Sequence, residues 1–585
     1  DTETTGLNIN FKSRTEEADK LVGICLSKKE GTGDFIPLNM KHFPNVCGGD
    51  HWFFMEHYMK KFLESHKFVT HNLSFDWKVF YIYGINLNAV FDTMLAYSCT
   101  ERYKHRNFEV GLKDLIRNIF GRDMIELSDF VYGMDWSKSG VKFWDLSYEQ
   151  CRQYAPTDAD STLCLYNFVI ATKLIERFEA QAIFEIELKY AKVIGYSEFW
   201  GYHINVDELP HLVNEVDNSL KHYKQEMLKI AGHEFNPDSP VQLGAVMYDE
   251  LKMPKLHDAR KTDKTTLKEL SEINNLPHAD FLTLLTEYRK SAGTYKNFIK
   301  RKDEFISEDG YIFPHVYSFG TDTGRCSIKE PNYQSYNDII KKRVTPRRGF
   351  KMFDCDFSQI EYRVLCSIAQ EENLKKSFSD PDMDYHTYQA ARMFDVPYGA
   401  VTGAMRKQAK GFNFGLPYGM GDKSLGLRIF GQATKENTAK AAKLRIKYFV
   451  GQENIKKWFE VTRDNAIADG YSRTLFGRSR YYFKEIFDEA KIRRQAGNHV
   501  IQGCIDGNTR IQTKEFGIVK IKDVVGSNLN VWDGTQWTRG DITYSGKKRK
   551  CIVRFSGGMT MICSPIHKFL VRSAKGNDRF VECKD

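Results

Sequence analysis

"MRKQAKGFNFGLPYG", residues 405–419, sets Arg406, Lys410, Phe414 and Tyr418 at steps of four. On a helix such residues share one face, so the spacing predicts a stripe of two cations followed by two aromatic rings. A nucleoside triphosphate asks for that order, with charge for the phosphates and flat surface for sugar and base. An amphipathic helix with Phe and Tyr in a core and Arg and Lys in solvent has the same spacing, so the stripe alone does not decide. Pro417 lacks a backbone donor and should kink the helix just before Tyr418.

The surrounding chain narrows the choice. Its 585 residues are too many for one core and imply three to five units. No apolar run approaches the ~20 residues that would span a bilayer, so a soluble, cytoplasmic protein is expected. The net charge of +9 is mild, but basic residues cluster in "KKRVTPRR" (341–348) and "KKRK" (547–550), which suits an anionic partner such as nucleic acid. Twelve Cys fall singly, as expected of reduced thiols. Residues 205–302 show helical periodicity with wet faces, and Arg289, Lys290, Lys296, Lys300, Arg301 and Lys302 would suit phosphates.

At the other end, "DTETTGL" places Asp1 and Glu3 two apart, so a strand would point both carboxylates to one face. "HNLSFDWKVF" supplies Asp76, and "YAPTDADSTLCLY" supplies Tyr154 and Asp158 on one helical face. With "FDTMLAY" at 91–97, these motifs resemble the DEDDy 3′-5′ exonucleases that proofread for DNA polymerases. The resemblance implies an RNase H-like domain over 1–175, with Asp1, Glu3, Asp76 and Asp158 as metal ligands and the Tyr154 hydroxyl orienting the attacking water. Phosphodiester hydrolysis of this kind uses two divalent ions, Mg or Mn, about 3.5 to 4 Å apart and held by oxygen ligands. The chain opens on Asp1, inside the first motif, so a truncated or processed N-terminus is expected.

The order of the remaining motifs favours the clamp. "TDTGRCSIKEPNYQ" (321–334), "DFSQIEYR" (356–363), the stripe, "GYSRTLFGRSRYY" (470–482) and "RRQAGNHVIQG" (493–503) resemble in sequence the core of family A DNA polymerases of the bacterial DNA polymerase I type. The resemblance implies a right-hand polymerase over 176–503: thumb about 200–320, palm about 321–375, fingers about 376–480. It makes Asp356 a palm metal ligand and Glu361 the side chain that crowds the ribose 2′ position. Arg406, Lys410 and His386 would hold the dNTP phosphates, Phe414 would lie against the sugar, and Tyr418 would close the site. Phe414, where some relatives carry Tyr, implies discrimination against dideoxynucleotides. Arg325, Asn332, Gln334, Arg494, Asn498 and Gln502 would track primer-template DNA.

"QGCIDGNTRIQT", 502–513, breaks the pattern, because short strands and tight turns follow it. Hairpin signals stand at Asp533-Gly534 and at Ser556-Gly557-Gly558. With "CSPIHKF" downstream, the tail 504–585 resembles the N-terminal half of an intein of the all-β Hint fold. The implied chemistry is acyl transfer: Cys504 sulfur attacks the Gly503 carbonyl while Ser564 and His567 polarise the bond and protonate the leaving nitrogen. No His-Asp-Glu turn carrying the second palm carboxylate follows Gly503. The resemblance therefore implies a precursor matured by trans-splicing to a second polypeptide bearing the intein C-half and the rest of the palm. Split inteins in replication genes make a phage enzyme in a host cytoplasm the implied setting. A piece of a cis-splicing precursor, and a DNA-binding exonuclease with an inert polymerase scaffold, are the alternatives.

Overall fold

Strands β1 (Thr2–Thr4), β2 (Leu21–Leu26) and β3 (Asp34–Pro37) form an antiparallel sheet in the order β1-β2-β3, with Glu3 opposite Gly23. The computed structural model describes all residues except 15–18, 49, 101–108, 132–134, 256–259, 272–275, 322, 348, 351, 353–358, 379–382, 417–418, 431–433, 483–487, 503–509, 514–516, 521–527, 533–536, 542–550, 555–559, 564–567, 573–577 and 583–585. Two compact units result: 1–361 with 384–451 and 456–506, and 362–383 with 452–455 and 507–585.

In the first unit, β2 reads LVGICL and is buried along almost its whole length, as an apolar strand between two covered faces should be. Strands β4 (Phe68–Thr70) and β5 (Ala89–Asp92) pair in parallel, and α1 (Leu73–Tyr81) lies in the connection between them. Helices α2 (Thr93–Thr100), α3 (Leu112–Phe120) and α4 (Tyr148–Ala171) follow. Ser147 opens α4 through a capping box with Gln150. The core joins Leu21, Ile24, Phe80, Leu95 and Leu165 to Ile183, Phe184 and Phe199 of α5 (Gln181–Trp200), so it runs past residue 175.

Helices α6 (Leu209–Ala231) and α7 (Ala279–Asn297) pack against each other over Met227, Phe281 and Leu285, giving the helical pair that the periodicity predicts. Short strands Tyr202–Ile204, Tyr311–Ile312 and Val344–Thr345 form one antiparallel sheet. Next come α8 (Ile360–Ala369), α9 (Tyr385–Phe394), α10 (Gly403–Gly415) and α11 (Lys435–Phe449). The hairpin of β6 (Tyr471–Arg473) and β7 (Ser479–Tyr481) precedes α12 (Glu489–Gln502). Among the described residues no helix is long and apolar enough to cross a membrane.

In the tail, Arg510–Thr513, Gly517–Lys520, Asn528–Trp532 and Trp537–Asp541 build a four-stranded antiparallel sheet. Hairpins pair Cys551–Arg554 with Thr560–Cys563 and Lys568–Arg572 with Asp578–Glu582. Strands flank both expected turns, with Trp532 opposite Trp537 and Arg554 opposite Thr560, while the turns themselves lie outside the described residues. The described strands of the tail form one four-stranded sheet and two hairpins.

Candidate active sites

The first site grows from the pairing of β1 with β2. That pairing sets Cys25 beside Asp1 and Glu3, and their ligand atoms all lie within 4.8 Å of one another. Glu3 and Asp76 are buried, and the Thr2 hydroxyl donates to Asp76 Oδ1 at 2.7 Å. Burial, then the charge of Asp158, pushes the Glu3 carboxyl up to about 8. Burial raises Asp158 to about 6 and moves Asp76 in the same direction. Asp76 Oδ2 and Asp158 Oδ1 are buried with no hydrogen-bond partner among the described residues. Buried carboxylates that repel one another and keep unfilled lone pairs fit hard divalent cations.

Tyr154 and Asp158 stand on α4 one turn apart, and the Tyr154 ring lies against Phe130 and Phe143 at centroid distances of 6.3 and 6.0 Å. Lys113 Nζ sits 5.1 Å above that ring, held by the Ile125 carbonyl at 3.0 Å and Glu126 Oε2 at 2.6 Å. Burial drives the Tyr154 hydroxyl well above its ordinary range, so it stays protonated and can donate or accept. Asp92, in the motif at 91–97, is wired to the backbone N–H groups of Leu73 and Leu95 and to the Thr70 hydroxyl. It orders the β4–β5 edge. Sequence reasoning missed Cys25, Thr2 and Lys113, none of which has a periodic partner.

The second site lies on α9 and α10, capped by Asp384 and Thr402. Arg406 donates from Nε and Nη2 to the two carboxylate oxygens of Asp384 at 2.8 and 2.9 Å. His386 Nδ1 lies 2.7 Å from Asn413 Nδ2, and Lys410 is exposed one turn beyond Arg406. The helix closes at Gly415, so Arg406, Lys410 and the backbone of Phe414 share it. The helix ends before Pro417, and the Phe414 side chain, Pro417 and Tyr418 lie outside the described residues, so of the four-member stripe the structure describes Arg406 and Lys410. The core aromatic is Phe412, packed with Met393, Ala409 and Tyr448.

The third convergence joins three distant motifs. Arg325 and Glu361 form an ion pair, and Gln502 Nε2 donates to Glu361 Oε1 at 3.2 Å. Residues expected to meet different parts of a substrate therefore bind one another here. The Asn332 side chain accepts from the Gln334 N–H at 3.1 Å, and Gln334 Nε2 reaches the Cys326 carbonyl at 3.4 Å. Asn498 and the backbone of Arg494 lie on α12. Also on α12, buried His499 Nδ1 lies 2.8 Å from the Ser472 hydroxyl, which is 2.6 Å from the Tyr482 hydroxyl. Asp356, Gly503, Cys504, Ser564 and His567 lie outside the described residues.

Two family models match the chain: "3'-5' exonuclease" over residues 1–171 and "DNA polymerase family A" over 206–506. DNA polymerase I of Borreliella burgdorferi is 28% identical over 534 residues, 89% of this chain and 55% of that protein. That of Bacillus subtilis is 29% identical over 434 residues, 72% of this chain and 47% of its own length. The chain thus spans about half the length of these relatives. Among solved structures, the POL domain of Pol1 from M. smegmatis in complex with DNA primer-template and dNTP has a TM-score of 0.65 at 22% identity, covering 83% of this chain and 80% of that one.

Proposed function

This chain belongs to the family A DNA polymerases, and on that premise we propose that it works on primer-template DNA, removing nucleotides from the 3′ end and binding dNTPs for extension. The observation that carries the exonuclease half is the group of buried Glu3 and Asp76 with half-buried Asp1 and Asp158, the charges of Glu3 and Asp158 acting on Tyr154. These carboxylates would hold two divalent ions, which when bound supply hydroxide and stabilise the leaving oxygen. Tyr154 would hold the attacking water, its ring fixed by Phe130, Phe143 and Lys113. Charge on one side and apolar walls on the other orient the terminal nucleotide.

For the polymerase half we assign Arg406, Lys410 and His386 to the triphosphate and Phe414 and Tyr418 to sugar and base. Glu361 guards the 2′ position, and Asp356 binds metal. Arg325, Asn332, Gln334, Arg494, Asn498 and Gln502 track the duplex. The test is fluorescence anisotropy of a labelled primer-template with each dNTP. Binding tightened by the dNTP that matches the next template base is expected, and tightening indifferent to the base contradicts the reading.

A second reading concerns the tail. The family match stops at residue 506, just past Gly503-Cys504, where the stretch that resembles an intein begins. We propose N-to-S acyl transfer at that junction by Cys504 with Ser564 and His567, and primer extension only once splicing with a second polypeptide supplies the rest of the palm. Incubating the purified chain with dithiothreitol should release a fragment ending at Gly503, detectable by mass spectrometry and absent from Cys504→Ala. An intact chain under all thiol conditions contradicts this reading.

A further inference from the structure

Arg406 has five N–H donors in a planar fork. Nε and one hydrogen of Nη2 face Asp384, at 2.8 and 2.9 Å. The other edge, made by Nη1 and the second Nη2 hydrogen, meets no acceptor among the described residues, and the Arg406 side chain is 44% exposed. Asp384 is itself pinned: its Oδ2 accepts the Thr387 N–H at 2.8 Å and the Thr387 hydroxyl at 2.6 Å as the N-cap of α9. Its own N–H donates to the Tyr398 hydroxyl at 2.9 Å. The carboxylate is thereby locked to one helix while it holds an arginine of the next.

We propose that Asp384 is a positioning residue for nucleotide binding: pinned by Thr387, it fixes the Arg406 guanidinium so that its outer edge meets the triphosphate. The inference rests on the reading of Arg406 as a triphosphate ligand. An arginine on a flexible stem loses rotamer entropy when it grips a phosphate, and one already held by a carboxylate loses less. A carboxylate that merely competed with phosphate would bind both edges or be free to swing away; this one takes a single edge and is fixed from behind. His386 follows Asp384 by two residues, and Lys410 stands one turn along α10 from Arg406.

The test uses the full chain and calorimetric titration with dATP, with deoxyadenosine as the phosphate-free control. Asp384→Asn keeps the helix cap, because Asn caps as well as Asp, but removes the two-oxygen fork. It should weaken dATP binding about three- to tenfold, the scale of releasing one rotamer-rich side chain, and leave deoxyadenosine binding unchanged. Thr387→Val, which removes the hydroxyl pin without changing charge, should weaken dATP in the same direction. In an Arg406→Ala background, Asp384→Asn should cost nothing further, which a general loss of folding would not produce. Unchanged or tighter dATP binding in Asp384→Asn, beside a weakened Arg406→Ala, would overturn this inference alone. Full dATP affinity in Arg406→Ala would overturn the triphosphate role of Arg406 and this inference with it.

Discussion

Lys78 Nζ lies 2.7 Å from Glu198 Oε2, with the two side chains only 3% and 8% exposed. Glu198 Oε1 accepts the Val316 N–H at 2.7 Å, so one carboxylate ties α1, α5 and the strand at 315–317 together. A buried pair of this kind contributes little net free energy when intact, but removing one partner strands the other charge. Lys78→Met should therefore lower stability by about 3 to 5 kcal/mol, and adding Glu198→Gln should recover part of the loss. Urea unfolding of the single and double variants checks this.

Gly324 occupies a left-handed conformation with φ +81°, and a Cβ there would stand 2.5 Å from Arg478 Nε. Arg478 is buried in an ion pair with Glu187 of α5. Gly324→Ala thus combines backbone strain with displacement of a buried arginine, and should cost about 1 to 3 kcal/mol. Because Arg325 follows directly, primer-template affinity should fall as well. Thermal melting and anisotropy measure the two effects.

Buried His499 and half-buried His71 set the acid limit. Burial lowers His499 to about 3, with Arg480 and Arg478 adding repulsion, and burial lowers His71 to about 4. Both are depressed below the unfolded value, so their contribution is fully present above pH ~6.5 and is lost as pH falls toward 4 and 3. Each should cost roughly 1.4 kcal/mol per pH unit within its window. His499→Gln should flatten the acid side of a plot of unfolding free energy against pH; an unchanged slope would contradict the assignment.

Tyr154→Phe should slow 3′ nucleotide release by about a hundredfold, the scale of a positioned group that handles a proton. Divalent metal affinity, which we assign to the four carboxylates, should remain. Single-turnover digestion of a labelled oligonucleotide across a metal titration separates the two.

What was legible in the sequence follows the periodicities. The two-residue step from Asp1 to Glu3 and the four-residue step from Tyr154 to Asp158 put those pairs on common faces, and the structure shows those faces. The helical repeat over 205–302 showed the α6–α7 pair. Contacts between residues far apart in the chain have no such signature. Thr2 meets Asp76 across 74 positions, Lys78 meets Glu198 across 120, and Arg478 meets Glu187 across 291. A repeat of four could not reveal that the helix bearing Arg406 ends at Gly415, nor that a capping Asp384 on the preceding helix holds that arginine.

The most direct test of the central claim is the stepwise release of mononucleotides from the 3′ end of a single-stranded oligonucleotide by the purified chain in Mg or Mn. Metal-dependent release that Glu3→Gln abolishes, with the fold followed by circular dichroism retained, is the expected result. No release in either metal from folded protein, or release indifferent to Glu3→Gln, would contradict it.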